Sequence, residues 1–443
     1  MAEKIETAFV KIWDRIVGAV SWDKNRGFGT FGFDKDFLKE GLDLSPLKMS
    51  LSEAINLSEP IYEFPNLPKD VFHGLSGLLS DSLPDQFGNE VINSWLAELG
   101  REPESFSVIE RLCYTGKRGM GALEFEPALH KDIEKSIPVE VSSMMELAHN
   151  IHSKRKIFKE SIKNKDAIKN ILMVGTSAGG SRPKAVIAYN EKTEEVRSGQ
   201  VKAPKGFSYW LLKFDGVKEN NLGDPQGYSN IEYAYSKIAK KCGIKMTECR
   251  LLEDGNRNHF MTKRFDRDNQ GEKIHTQTMC ALDHLSFKNK FSYSYQQAFM
   301  ILRELKLPYF AIEQLFRRMV FNVVGKNYDD HTKNISFLMN RSGNWSLAPA
   351  YDMTYAYNPK GDWTSAHQLS INGKRENIEF SDLSKVAVSN RIKSYKEIIE
   401  QITDVFSMWP KIAKDCDVNK DYIDKINNVL NLNLETKKTF NIK

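Results

Sequence analysis

The sequence predicts an α+β protein of two lobes: a β-rich N-terminal lobe with an added N-terminal subdomain, and an all-helical C-terminal lobe. Three observations carry this expectation. Apolar and polar residues alternate around glycines in the first 35 positions, strand-like segments recur between about 171 and 266, and apolar residues take helical spacing over most of the chain after about 270. The expected division is 1–135, a β-rich subdomain; 136–270, an α/β lobe with a glycine-rich loop; and 271–443, a mostly helical lobe. A length of 443 residues suits two or three domains with buried cores. Lys+Arg minus Asp+Glu is 63 − 58 = +5, without the strong basic excess of a dedicated nucleic-acid binder, so any DNA contact would have to be local. Cys113, Cys242, Cys249, Cys280 and Cys416 are odd in number, widely spaced and free of any Cys-x-x-Cys pair, which argues against a disulfide framework or a zinc ribbon. No stretch approaches the ~18 apolar residues of a membrane span. The first 30 residues carry acids and tryptophans where a secretion signal has an apolar core, so the cytoplasm is the expected location.

In chain order, Phe9 to Trp22 and Gly27 to Phe33 have the alternation and turn chemistry of hairpins. From about Pro68 to Leu99 the apolar spacing loosens toward a helical period. Gly116-Lys-Arg-Gly-Met-Gly121 then precedes a short strand, Ala122 to Phe125; because no helix start follows, a tight turn is expected over a phosphate loop. Residues 131 to 170 look helical, and Ile151 to Asn170, with seven Lys/Arg against two acids, reads as a solvated basic face. Tyr295 to Leu305, Phe310 to Val324 and Lys393 to Phe406 are expected helices.

The chemistry begins at Ile171-Leu-Met-Val-Gly175-Thr-Ser-Ala-Gly179-Gly180-Ser-Arg-Pro-Lys184-Ala-Val-Ile-Ala-Tyr189, a strand, a small-residue loop with a basic end, and a second strand. Glycines let backbone N–H groups turn toward an anion, and Lys184 adds a positive charge at close range. Gly175 and Gly180 have the spacing of an NTPase P-loop, but Ser181 stands where its lysine should be and a strand follows. A strand-loop-strand cover over phosphates is the arrangement of protein kinases, with an ordinary hairpin as the alternative. Behind it, Ser208-Tyr-Trp-Leu-Leu-Lys213-Phe reads as a strand whose one lysine needs an anionic partner, and Glu232 falls in the first turn of a helix. A strand lysine followed by a helix glutamate is the ion pair that positions kinase phosphates, although Glu232 also suits the helix dipole. After a turn at Glu253 to Asn256, His259 to Asp266 reads as the exit strand that a kinase uses as its adenine hinge.

A helix spaced by Ile312, Leu315, Phe316, Met319, Val320, Val323 and Val324 ends near Gly325 and leads into Asn327-Tyr-Asp329-Asp330-His331-Thr-Lys333-Asn334. A hairpin from Ile335 to Ala350 follows, then Tyr351-Asp352. Asp329 and Asn334 keep the step of five of the kinase catalytic loop, in which the aspartate accepts the substrate hydroxyl proton and the asparagine holds Mg²⁺. Asp352 takes the place of the chelating aspartate, and Lys333 can neutralise the migrating phosphoryl group.

Taken together, the chain resembles the HipA family of bacterial serine/threonine kinase toxins. The resemblance rests on Ser177-Ala-Gly-Gly-Ser-Arg-Pro-Lys184, Lys263-Arg-Phe-Asp-Arg267, Asp329-Asp-His-Thr-Lys-Asn334 and Ala350-Tyr-Asp352. Leu78-Leu-Ser-Asp-Ser-Leu-Pro-Asp85 and Gly121-Ala-Leu-Glu-Phe-Glu-Pro127 extend it into the N-terminal region. It implies a two-lobed, protein-kinase-like fold that binds ATP and Mg²⁺. The family's autophosphorylated serine, whose modification expels the loop and inactivates the enzyme, falls on Ser177. Lys213 then matches the ATP-contacting lysine, Lys263 and Phe265 the hinge, Asp329 the base, with His331 and Lys333 beside it, and Asn334 and Asp352 the metal ligands. Gly179, Gly180 and Lys184 would line the phosphate loop. Two departures stand out. Lys263 replaces a frequent acid, which affects a side-chain contact but not a backbone one. Ser181 replaces a usual alanine and, with Thr176, offers another phosphoacceptor.

The resemblance further implies a target in translation, such as an aminoacyl-tRNA synthetase, and a small helix-turn-helix, HipB-like antitoxin through which DNA is reached, with no membrane partner. The rival readings are a non-catalytic co-repressor of kinase fold and a small-molecule phosphotransferase.

Overall fold

A computed structural model of the protein describes residues 4–129, 136–152, 183–216 and 227–434. They form two units. The first takes residues 1–229, 248–286 and 336–345, so segments of all three expected domains enter it; the second takes 230–247, 287–335 and 346–443.

Period-2 alternation in the first unit builds an antiparallel sheet from β1 (Thr7–Ile12), β2 (Arg15–Asp23), β3 (Phe28–Phe33), β4 (Ile61–Glu63) and β5 (Leu123–Glu126), in the order β4-β3-β2-β1-β5. The β1–β2 turn sets Trp13 and Asp14 at φ 48° and 65°, the two left-handed positions of a primed hairpin turn. Gly18 is required by close packing: a Cβ there would lie 2.0 Å from the Gly32 carbonyl oxygen on β3. Val10, Ile12, Val20 and Phe31 share one core with Phe37, Leu79, Ile109 and Leu112 from helices laid against the sheet.

A second antiparallel sheet runs β7-β6-β8-β10-β9, from β6 (Lys184–Tyr189), β7 (Val196–Ser198), β8 (Ser208–Lys213), β9 (Cys249–Asp254) and β10 (Arg257–Lys263). Its inner residues Ala185, Ile187, Trp210, Leu212 and Met261 are covered by Phe87, Val91 and Ile92 of helix Gln86–Glu98 and by Met144 and Ala148 of helix Val141–His152. The N-terminal segment therefore supplies part of this sheet's core.

Strand β10 stops at Lys263, short of the expected Asp266, because the next residues turn into a polar knot. Asp266 accepts from the Gly121 backbone N–H at 2.7 Å and from both Arg264 and Arg267, and the two guanidinium groups also donate to the Gly119 carbonyl. Burial would raise the Asp266 carboxyl, but the two arginines outweigh it and hold the group ionised. The glycine run at 116–121 is thus a turn locked by side chains, as the missing helix start suggests. β11 (His275–Thr278) pairs antiparallel with the strand Ser336–Met339 to complete the unit.

The second unit is mainly helical. Helices Tyr295–Glu304, Tyr309–Val324, Phe380–Ser389, Tyr395–Ser407, Trp409–Lys414 and Lys420–Asn427 join most of helix Tyr228–Lys241. Tyr235 anchors this core, with Phe321, Phe406 and Trp409 edge-on at 5.9, 5.7 and 5.2 Å and its hydroxyl donating to the Gly325 carbonyl at 2.8 Å. Of the helix expected over 131–170, Val141–His152 forms; residues 130–135 and 153–182 lie outside the described residues. Among the described residues no helix is long and apolar enough to cross a membrane.

Candidate active site

The helix Tyr309–Val324 delivers the chain to the segment that carries the chemistry, ending at Gly325 before Lys326 turns it at φ 54°. Asn327 then ties this segment down. Its side-chain amide donates to Asn322 Oδ1 at 2.9 Å and to the Asp352 carbonyl at 3.5 Å. The Tyr328 N–H bonds the Ala356 carbonyl at 3.0 Å, so the residues after Asp352 run alongside.

Asp329 and Asn334 are brought together, with Asn334 Nδ2 donating to the Asp329 carbonyl at 2.7 Å. Asn334 closes a short 3₁₀ turn, Thr332–Asn334, that His331 caps: its Nδ1 accepts from the Lys333 N–H at 3.2 Å. His331 therefore has a structural duty, while its Nε2 stands 3.5 Å from Asp329 Oδ1. The Lys333 ammonium lies 5.2 Å over the Phe287 ring, and its carbonyl accepts from the Tyr351 hydroxyl at 2.5 Å.

The two adjacent aspartates differ in kind. The Asp329 side chain is 41% exposed and that of Asp330 is 1% exposed. Asp330 accepts from the Tyr295 hydroxyl at 2.9 Å and the Gln368 N–H at 2.7 Å, and lies 2.8 Å from His367 Nδ1. Asp329 faces solvent with Trp363 Nε1 donating to its Oδ1 at 2.6 Å. Sequence reasoning did not single out Trp363, His367 or Gln368, whose segment lacks any motif.

A cavity of about 20 Å³ opens beside these groups, lined among others by Asn327, Asp330, His331, Asn334, Tyr351 and Asp352. That volume suits a water-sized group. Asp352 takes φ 51°, a left-handed conformation that a bulkier residue would resist. Because the Asn334 amide nitrogen is engaged by Asp329, its Oδ1 is the atom that can ligate. With the Asp352 carboxylate it makes a pair of hard oxygen donors, which fits Mg²⁺, an ion that keeps waters and takes phosphate oxygens as its other ligands. Among the described residues no cluster of three His, Cys, Asp or Glu side chains offers an all-protein metal cage.

The remaining expected residues are on the first unit, apart from Glu232. Lys184 is buried in β6 with Nζ 3.3 Å from Asp85 Oδ2, whose other oxygen caps helix Gln86–Glu98 through the Gly88 N–H. Lys213 lies opposite Lys184 in the β6–β8 register, its ammonium 5.6 Å over Phe260. Lys263 sits 3.4 Å from Glu248, and Phe265 follows at the end of β10, half-buried. Glu232 is buried on helix Tyr228–Lys241, in the second unit. Thr176, Ser177, Gly179, Gly180 and Ser181 lie outside the described residues.

Strand-rich and helical regions in this order, with the Asp329–Asn334 loop ahead of Asp352, define a protein of kinase-like fold. Residues 176–409 match the model of the HipA-like C-terminal domain and residues 8–126 that of the HipA N-terminal domain. The first match alone covers more than half of the chain, and the chain belongs to the HipA family. A solved structure of the Shewanella oneidensis MR-1 toxin-antitoxin system, a complex of HipA, HipB and its operator DNA, contains a similar chain. The TM-score is 0.65 over 95% of both chains at 17% identity, a likeness of fold. A Haemophilus influenzae protein provisionally named a kinase is 30% identical over 134 residues. That match spans 27% of this chain and 39% of the relative's length.

Proposed function

We propose that this protein is an ATP- and Mg²⁺-dependent serine/threonine protein kinase that acts as the toxin of a toxin-antitoxin pair. The observation that carries the reading is the 2.7 Å bond from Asn334 to the Asp329 carbonyl beside a cavity that Asn334 and Asp352 line together. Asp329, solvent-facing and held by its neighbours, accepts the proton of a substrate hydroxyl as that oxygen attacks the γ-phosphorus. The bond from γ-phosphorus to the β–γ bridging oxygen breaks, and ADP leaves with the electron pair. Lys333 offsets charge on the moving phosphoryl group. Asn334 and Asp352 hold Mg²⁺, which when bound neutralises the phosphate charge. In the same reading Lys213, Gly179 and Gly180 serve the nucleotide phosphates, while Lys184 is held by Asp85. Lys263 and Phe265 offer the adenine contacts.

Autophosphorylation falls on Ser177, with Thr176 and Ser181 as the neighbouring acceptors. The partner is a small helix-turn-helix antitoxin through which operator DNA is reached, and the target is a protein of translation in the cytoplasm. Labelled ATP with the purified chain, followed by mass spectrometry of 171–189, tests the activity. Transfer is expected in the wild type and is lost by on the order of 10²-fold or more in Asp329→Gln and Asp352→Gln. Growth arrest that survives either substitution would sink the proposal.

A further inference from the structure

Trp363 donates its indole N–H to Asp329 Oδ1 at 2.6 Å, a close contact onto a carboxylate acceptor. His331 Nε2 stands 3.5 Å from the same oxygen, and the His331 and Trp363 rings are 6.0 Å apart. The indole is itself fixed from both ends of its segment. Lys290 lies 5.7 Å over the ring while donating to the Asp362 carbonyl at 3.0 Å. Gln368 donates through its side chain to the Trp363 carbonyl and through its backbone to Asp330 Oδ1. One stretch of chain, 363–368, therefore grips both members of the Asp329-Asp330 pair.

The two grips differ in what they accomplish. Asp330 is buried, and its bonds replace the water it lost on folding. The Asp329 side chain is 41% exposed, so water could satisfy it and folding does not demand a partner. An indole, which can only donate, engages the carboxylate at one oxygen whatever its surroundings. We propose that Trp363 is a positioning residue: by holding Oδ1 it sets the carboxylate plane of Asp329 so that Oδ2 meets the incoming hydroxyl. This role rests on Asp329 being the base. A tryptophan that instead shielded the base from substrate would have the opposite effect on rate, which separates the two by sign.

The test has a spectroscopic arm and a kinetic arm, both on the full chain. With ¹⁵N-indole tryptophan labelling, the Trp363 N–H resonance is assigned by its loss in Trp363→Phe. It should move upfield and exchange faster with solvent in Asp329→Ala. A resonance that ignores the Asp329 substitution overturns the proposal whether or not the protein transfers phosphate. In the kinetic arm, Trp363→Phe keeps a ring and loses the donor. It should lower kcat by roughly 10- to 100-fold, the cost of a misplaced reacting group, with KM for ATP unchanged. Trp363→His, which restores a ring N–H, should recover part of the loss. Unchanged or raised kcat in Trp363→Phe overturns this role alone. A wild type that transfers no phosphate overturns the base assignment and this role with it.

Discussion

Asp330 Oδ2 and His367 Nδ1 lie 2.8 Å apart with both side chains only 1% exposed, one residue away from an aspartate that is 41% exposed. The contrast separates structure from chemistry at two adjacent positions. Asp330→Asn should cost on the order of 3 kcal/mol, because it disrupts a buried set of charge-assisted bonds. Asp329→Asn should change stability by no more than about 0.5 kcal/mol, as surface substitutions do. Urea unfolding of the two variants checks this. Equal loss of stability in both would show that Asp329 is structural too.

Lys184 of the family's loop motif and Asp85 of its N-terminal motif form a contact at 3.3 Å, with 4% exposure of each side chain. Asp85→Asn keeps an acceptor for the Gly88 N–H but strands the ammonium. It is expected to destabilise the protein by about 3–5 kcal/mol. The double variant Asp85→Asn with Lys184→Met should regain most of that. Thermal unfolding that finds the single and double variants equally unstable would contradict an ion-pair origin.

His284 is pushed down to about 4, chiefly by burial and then by Lys48, and its Nε2 accepts from the Gly77 N–H at 2.9 Å. Unfolded histidine titrates near ~6.5, so below that pH the unfolded chain binds a proton that the folded chain refuses. Stability is therefore full above about pH 6.5 and falls by about 1.4 kcal/mol per pH unit for this group until about pH 4. His284→Gln keeps an acceptor and should flatten the slope by that amount, as denaturant melts between pH 6.5 and 4 would measure. An identical slope in the variant would assign the acid sensitivity elsewhere.

Asn334 supplies one of two proposed protein oxygens to Mg²⁺, so Asn334→Ala should raise the Mg²⁺ needed for half-maximal phosphate transfer by at least about tenfold. Titration at fixed ATP reads the shift. A variant that saturates at the wild-type concentration would remove Asn334 from the ligand set.

Local pattern made much of the fold readable. Alternation around Gly18 and Gly32 foretold the first sheet, and apolar spacing from Ile312 to Val324 foretold the helix that leads to Asp329. The five-residue step to Asn334 was readable because a tight loop keeps neighbours in sequence near one another in space. The end of β10 was not readable: Arg264, Asp266 and Arg267 look like the tail of a strand until Gly119 and Gly121 meet them.

The amino-acid order by itself determined the first hairpins, the helix that leads to Asp329, the identity of the acid-bearing loop and its likeness to the HipA family. Period and short spacing are properties of neighbouring residues. The tertiary structure alone decided that Asp330 is buried while Asp329 is open, that Lys184 answers to Asp85, and that an unmarked tryptophan reaches the carboxylate at 329. Burial and ion pairing are set by whichever distant segment packs alongside, and no local pattern encodes which one that is.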